Sequence, residues 1–324
     1  MTEELPKTSW RRGALAAATD YLAMLAVLAG LVALFAFQAE HFLSVATFRA
    51  IANQYSSHAI MAVGMTFVLI LGGIDLSVGS VLALAGAVIG VSMVQYHWPA
   101  PAAIAAGLAT GLVCGLFNGL VSVRWRLPSF IVTLGMLEIA RGGTQMVTDY
   151  RTQFIGPSIG AIGEATVAGL PLPLLLALAV VVLGQLVLSR TVFGRYVVAI
   201  GTNEEAVRLS GIDPRPVKVA VFALCGLLTG LAAVIHTSRQ ISADPTAGSG
   251  FELQAIAAVV IGGTSLMGGR GSVVRSLFGV LIIAVLDAGL AQVGVQDHVK
   301  RLITGSVIIA AVILDYYRQR LRTR

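Results

Sequence analysis

Long apolar stretches recur along this chain, parted by short polar, basic or glycine-rich connections. A bilayer core takes about 20 apolar residues per helix. On that ruler residues 14–37, 59–71, 81–94, 102–123, 130–147, 170–188, 217–236, 253–267, 273–293 and 302–316 read as membrane spans. The pattern predicts an all-α polytopic membrane protein, a single transmembrane domain over residues 1–324 with about ten helices. The runs beginning at 59, 81 and 253 are shorter than a full crossing and abut glycine-rich breaks. Each therefore extends through its break, tilts or re-enters the membrane.

The first break, Gly72-Gly73-Ile74-Asp75-Leu76-Ser77-Val78-Gly79-Ser80, carries an acid between two apolar runs. In hydrocarbon an ionisable group and an interrupted helix are tolerated only where protein or a water-filled cavity satisfies them. Gly72, Gly73, Asp75, Ser77 and Gly79 are thus candidates for a translocation path or gate. A related run, Gly262-Gly263-Thr264-Ser265-Leu266-Met267-Gly268-Gly269-Arg270-Gly271-Ser272-Val273, can be laid on it with two extra residues. The stretches near 59–94 and 253–293 then read as a weak internal repeat, which in transporters points to the translocation region and adds Gly262, Gly263 and Thr264 to the path. Close helix packing through small residues is the plainer reading of the glycines alone. Asp75 tips the first copy toward a gating role.

Composition agrees with a membrane protein. Hydrophobic residues make up 56% and charged residues 12%, against about one quarter charged in a soluble domain, and mean hydropathy is +0.86. The net charge of +6 would suggest nucleic acid in a soluble chain. Here the bases flank apolar runs without interleaved exposed aromatics, so the partner they imply is the lipid bilayer and not nucleic acid. With both termini cytoplasmic, the inside segments collect Lys7, Arg11, Arg12, Arg124, Arg126, Arg190, Arg195, Arg208, Arg215, Lys218, Arg270, Arg275, Arg318, Arg320, Arg322 and Arg324, most of the 22 bases. Trp10, Tyr316 and Tyr317 sit where interfacial aromatics anchor the outermost spans. The first span reads as a retained helix, being longer than a secretory h-region of roughly 7–15 residues. Cys114 and Cys225 lie within apolar runs and read as packing residues.

The main inside segment, 189–216, is too short for a nucleotide-binding fold, and no G-x-x-x-x-G-K-[ST] occurs in the chain. Energy must come from another chain or an ion gradient. Within that segment Asn203 can N-cap a short helix with Glu204 and Glu205 at its positive end and Gly211 as C-cap. Such a helix suits docking of a soluble partner or serves as a solvated connector. Among intramembrane charges, Glu138 and Arg141 are spaced for an ion pair, with a proton relay the alternative, and Asp287 has no evident partner. The outward stretches 150–169 and 236–250 are short connections. His41, His58, His97, His236 and His298 are scattered near span ends and supply neither a metal set nor a catalytic constellation, so the chain reads as a transport protein with no catalytic or metal residue.

Four motifs together, Gly72 to Gly79, Pro128-Ser129-Phe130-Ile131-Val132-Thr133-Leu134-Gly135, Gly201-Thr202-Asn203 through Gly211-Ile212, and Gly262 through Gly271, closely resemble the permease subunit of bacterial monosaccharide ATP-binding cassette (ABC) importers of the ribose, xylose, arabinose and galactose type. The resemblance covers roughly residues 45–315, in the family's order. It implies a multi-pass permease of the inner membrane, usually a homodimer, served by a cytoplasmic ATPase and a periplasmic sugar-binding protein. This chain then binds no cofactor; ATP and magnesium belong to the ATPase subunit. Glu205-Ala206-Val207 and Gly211 keep the spacing of the family's coupling motif, with Val207 in place of an alanine. The coupling residues implied are Asn203, Glu204, Glu205, Ala206, Arg208 and Gly211, and the implied mechanism is alternating access. Related permeases for nucleosides, branched-chain amino acids or a signalling furanosyl compound share the architecture, and an ion-coupled secondary transporter is the rival mechanism.

Overall fold

The computed structural model describes residues 8–322. The chain runs α1 (Thr8–Gln38), α2 (Val45–Ile70), α3 (Val78–Val94), α4 (Ala100–Arg124), α5 (Ser129–Thr148), β1 (Gln153–Phe154), α6 (Pro157–Glu164), β2 (Thr166–Val167), β3 (Leu170–Pro171), α7 (Leu172–Arg190), α8 (Val192–Leu209), α9 (Arg215–Gln240), β4 (Ser242–Ala243), α10 (Phe251–Ile261), α11 (Val273–Gln292) and α12 (Asp297–Arg322). Each predicted span falls on one of these helices, and among the described residues five helices, α1, α4, α7, α9 and α11, are long and apolar enough to cross a membrane. β1 pairs with β4 (Gln153↔Ala243) and β2 with β3, all on one face. The α4–α5 turn and the kinked α8 lie on the opposite face. The proposed anchors Trp10, Tyr316 and Tyr317 and the terminal bases Lys7, Arg11, Arg12, Arg318, Arg320, Arg322 and Arg324 lie outside the residues whose side chains are described.

The predicted boundaries shift where polar residues face protein. The run 59–71 is only the end of α2, which reaches back to Val45 through Arg49, Asn53, Gln54, Ser56, Ser57 and His58. Every residue from Tyr55 to Leu71 is buried, as in a helix surrounded by others. Its polar positions meet protein: Thr47 Oγ1 accepts from Gln292 Nε2 (2.7 Å), Tyr55 donates to Asp287 Oδ2 (2.8 Å), and Thr66 Oγ1 lies 2.8 Å from Ser276 Oγ. This ladder clamps α2 to α11 and supplies the partner of Asp287. The run 253–267 is helical only to Ile261, the run 170–188 begins with β3 and continues as α7 to Arg190, and α12 extends the run 302–316 at both ends.

α9 is the other central element, antiparallel to both α2 and α4. The α4 stripe Gly107, Gly111, Gly115 and Gly119 lies against Val219, Phe222, Gly226 and Gly230, close enough that a Cβ on Gly226 would sit 2.8 Å from Gly115 Cα. Small residues at every fourth position let two backbones touch, the usual solution where lipid offers no hydrophobic drive between helices. Adding a side chain here forces the pair apart, at a cost of roughly 1–3 kcal/mol. Gly226→Leu is therefore expected to lower the melting temperature in detergent, whereas Gly30→Leu on lipid-facing α1, where nothing lies within 4 Å, is expected to leave it unchanged. Equal melting of the two variants would contradict this packing.

Candidate functional site

Two non-helical segments enter the bundle from opposite faces. The first, residues 71–77, begins where α2 ends. Gly72, at φ +84°, donates to Leu69 C=O (2.9 Å) and Gly73 to Val68 C=O (2.9 Å), which closes the helix. Gly263 (φ +77°) and Thr264 repeat the pattern at the end of α10, donating to Val260 and Val259. The two glycine motifs thus share a helix ending, with Gly72 matching Gly263 and not Gly262. The connection to α11 is also longer, residues 262–272 against 71–77, than the sequence overlay allows.

From Gly73 the first segment climbs to mid-height of α9. Asp75 is 2% exposed there, and its Oδ1 accepts from Ser77 N–H (2.9 Å) and Ser77 Oγ (2.6 Å). Asn118 of α4 donates to Ser77 Oγ (3.0 Å), and the Cys225 thiol of α9 also faces Asp75. Helix α5 supplies the rest. Ser129 Oγ accepts from Ile74 N–H (3.0 Å), while Thr133 Oγ1 accepts from Leu76 N–H (3.1 Å) and donates to Ile74 C=O (3.2 Å). Asp75 therefore acts as an internal turn-former held by α4, α5 and α9.

The second segment, 241–250, was read as an outward connection and instead descends beside α3. Ala243 packs on Gly90, but Gly248 and Glu252 pack on Gly79, eleven residues or about 16 Å lower along α3. α10 thus starts inside the bundle, and its 11 residues span only about 16 Å. The N-termini of α3 and α10 meet at Gly79 and Gly248, two half-helices abutting at mid-height. Arg141 of α5 holds this segment, donating through Nη1 to Ala247 C=O (2.8 Å) and Pro245 C=O (3.2 Å). Its expected ion pair with Glu138 does not form, because buried carbonyls claim the guanidinium while Glu138 is exposed. Gly248 and Glu252 are not singled out by the sequence, and Arg141 is, but with the wrong partner. An arginine inside an apolar run and the Gly248/Gly250 pair were the signals present.

The histidines are also less scattered than predicted: His58 and His236 both lie against Phe251, with ring centroids at 4.2 and 5.7 Å. The remaining candidates divide between two places. Gly268 presses on Gly72, Gly269 N–H donates to Ile70 C=O (2.7 Å), and Gly201 covers the same point, so the end of α2, the 262–272 segment and the part of α8 before Asn203 form one glycine joint. Gly262 itself packs on Arg275 and Ser276 of α11, and Thr264 is fully buried beside Gly271, which also meets Ile70.

Past the joint, Asn203 is extended (φ −160°, ψ 96°) and breaks α8. Its Oδ1 caps Ala206 N–H (2.9 Å). The following helix ends at Gly211 (φ +84°), whose N–H donates to Arg208 C=O (3.0 Å). Glu205 pairs with Arg208 (2.7 Å) and Glu204 with Lys218 at the start of α9 (2.5 Å). Behind this capped helix lies a cleft of about 680 Å³, and beneath it a cavity of about 200 Å³ reaching Gly72, Gly73 and Ser129. Glu204 and Lys218 border both spaces.

Half-helices that abut inside a bundle of membrane-length helices are the architecture of membrane transport proteins. The family described as branched-chain amino acid transport system / permease component matches residues 47–312, and this chain belongs to it. It is 43% identical over 274 residues to the ribose import permease protein RbsC of Escherichia coli, covering 83% of this chain and 85% of that protein. It is 44% identical over 266 residues to RbsC of Bacillus subtilis (81% and 82%). To the L-arabinose transport system permease protein AraH of Escherichia coli it is 35% identical over 318 residues (97% and 95%). No solved structure matches the chain.

Replacing Asp75 tests the turn. Asp75→Ala leaves buried Ser77 N–H without an acceptor, at a cost of about 1–3 kcal/mol, while Asp75→Asn keeps an acceptor oxygen. Thermal unfolding is expected to rank wild type and Asp75→Asn above Asp75→Ala; an Ala variant as stable as wild type would contradict the turn-forming role.

Proposed function

We propose that this chain is the membrane-spanning subunit of an ABC importer that carries a monosaccharide into the cytoplasm by alternating access. Identity of 43% and 35% over most of the chain to permeases named for ribose and arabinose is the observation that carries the substrate class. The family's own description names branched-chain amino acids, but the nearly full-length similarity to sugar permeases favours a sugar. In this reading ATP is hydrolysed on a partner ATPase, and a periplasmic binding protein delivers the sugar. A second copy of the chain completes the assembly. Arg124, Arg126, Arg190, Arg195, Arg208, Arg215, Lys218, Arg270 and Arg275 lie at helix ends and connections toward the capped-helix face, and by the positive-inside rule that face is the cytoplasmic side of the inner membrane.

Residues 204–211 are the coupling helix, with Asn203 and Gly211 fixing its ends and Glu204, Glu205, Ala206 and Arg208 offered to the ATPase. Its base is the glycine joint at Gly201, Gly72 and Gly268, so a push on the helix reaches the end of α2 directly. The Glu204–Lys218 pair carries the same push to α9. Gly72, Gly73, Ser77 and Gly79 form the moving element and Asp75 its latch. ATP binding acts only through a difference in contacts between the inward and outward states.

Reconstitution tests this reading. Proteoliposomes holding the chain with its ATPase and binding protein are expected to take up ribose or arabinose when ATP is supplied, and the chain alone is expected to take up none under a proton or sodium gradient. Gradient-driven uptake by the chain alone would overturn it. Gly211→Val strains a left-handed position by roughly 1–2 kcal/mol and is expected, like Glu205→Ala, to lower sugar-stimulated ATPase activity while sparing membrane insertion. Unchanged stimulation and complex assembly in both variants would remove residues 204–211 from the coupling role.

A further inference from the structure

The cleft behind the capped helix has its own chemistry. One wall is the capped helix with Glu204 and Arg208, another the start of α9 with Arg215 and Lys218, and the third the α4–α5 turn with Ser122 and Arg126. Its volume of about 680 Å³ suits a small organic ligand. Four bases face two acids, Glu204, which is ion-paired, and Asp213, which a backbone N–H holds and which keeps its charge. Glu204 holds Lys218, and Asp213 Oδ1 accepts from Arg215 N–H (3.0 Å). Arg208 is paired with Glu205. Among the described residues, neither Arg126 nor Arg215 has a carboxylate within ion-pair distance.

A second observation points into the same space. Ser122 is 9% exposed, lines both the cleft and the cavity beneath it, and its Oγ is buried without a hydrogen-bond partner. Buried hydroxyls in native proteins are nearly always paired, so an orphan bordering a cavity marks a place where something else supplies the partner. Two planar guanidinium groups left without carboxylates, a further cation and a hydroxyl donor form the recognition set for a phosphate, which arginine binds in bidentate fashion.

We propose that this cleft binds a phosphate group, carried either by a soluble cytoplasmic anion or by an anionic lipid headgroup at the membrane surface. Because one wall is the capped helix and the other the α4–α5 turn, the occupant bridges the two and fixes their spacing. The site stands on the cleft alone and is independent of which solute the chain transports.

The test uses the full chain, with its partner ATPase bound, in nanodiscs. Thermal unfolding is followed in phosphatidylcholine discs while inorganic phosphate is titrated against chloride at matched ionic strength, and in parallel in discs containing phosphatidylglycerol. Bound ligand raises the melting temperature in a saturable way. A rise with phosphate in phosphatidylcholine assigns the site to a soluble anion; a rise only with phosphatidylglycerol assigns it to lipid. In either arm Arg126→Gln/Arg215→Gln is expected to weaken the response about tenfold, the loss of two charge-assisted contacts. Arg190→Gln/Arg195→Gln, which removes two exposed bases of the same face outside the cleft, is expected to keep it. No saturable rise in either arm, or an equal response in the two double variants, overturns the proposal.

Discussion

A peptide group inside a bilayer has no water to fall back on, and the rest of this structure follows from how two interrupted segments meet that demand. An unpaired N–H or C=O in hydrocarbon costs several kcal/mol, so broken helices survive only where side chains replace the missing ladder. One helix, α5, supplies most of the replacements. Ser129 and Thr133 satisfy Ile74 and Leu76 near its N-terminus, and Arg141 satisfies Pro245 and Ala247 two turns further along. The half-helices α3 and α10 are thereby fixed end to end at Gly79 and Gly248, although neither is bonded to the other by a ladder.

This explains why the motifs that mark the family in sequence belong to distant stretches of chain. The Pro128–Gly135 motif carries the two hydroxyls that stitch the Gly72–Gly79 motif. The Gly262–Gly271 motif delivers Gly269 to Ile70, and the Gly201–Gly211 motif places Gly201 on the same carbonyl. Four motifs converge on the end of α2 and the climb that follows it. A movement of the capped helix therefore enters the bundle at a point where three backbones touch without side chains between them. Packed backbones transmit displacement because interiors do not compress.

What was legible in the sequence was local. Asn203 and Gly211 were readable as helix caps because a cap is made within four residues, and the apolar runs were readable because lipid selects for them. The start of α2 was hidden because its polar face meets protein, so a hydropathy ruler discards Asn53 to His58. The descent of residues 241–250 was hidden because Ser242, Asp244 and Ser249 look like a solvated loop, and the carbonyls that need satisfying belong to no particular side chain. Arg141 was noticed but given the nearest acid in sequence. Its true partners lie about a hundred residues away, and no local spacing rule reaches them.

Helix α5 holds the two segments independently, through hydroxyls at one end and a guanidinium at the other. Residue-resolved hydrogen exchange on the full chain in nanodiscs measures this directly, with Thr133→Val and Arg141→Gln compared against wild type. Thr133→Val is expected to speed exchange at Leu76 and its neighbours while leaving 241–250 protected. Arg141→Gln is expected to do the reverse. Unchanged protection in both variants, or loss of protection spread over the whole bundle in each, would contradict it.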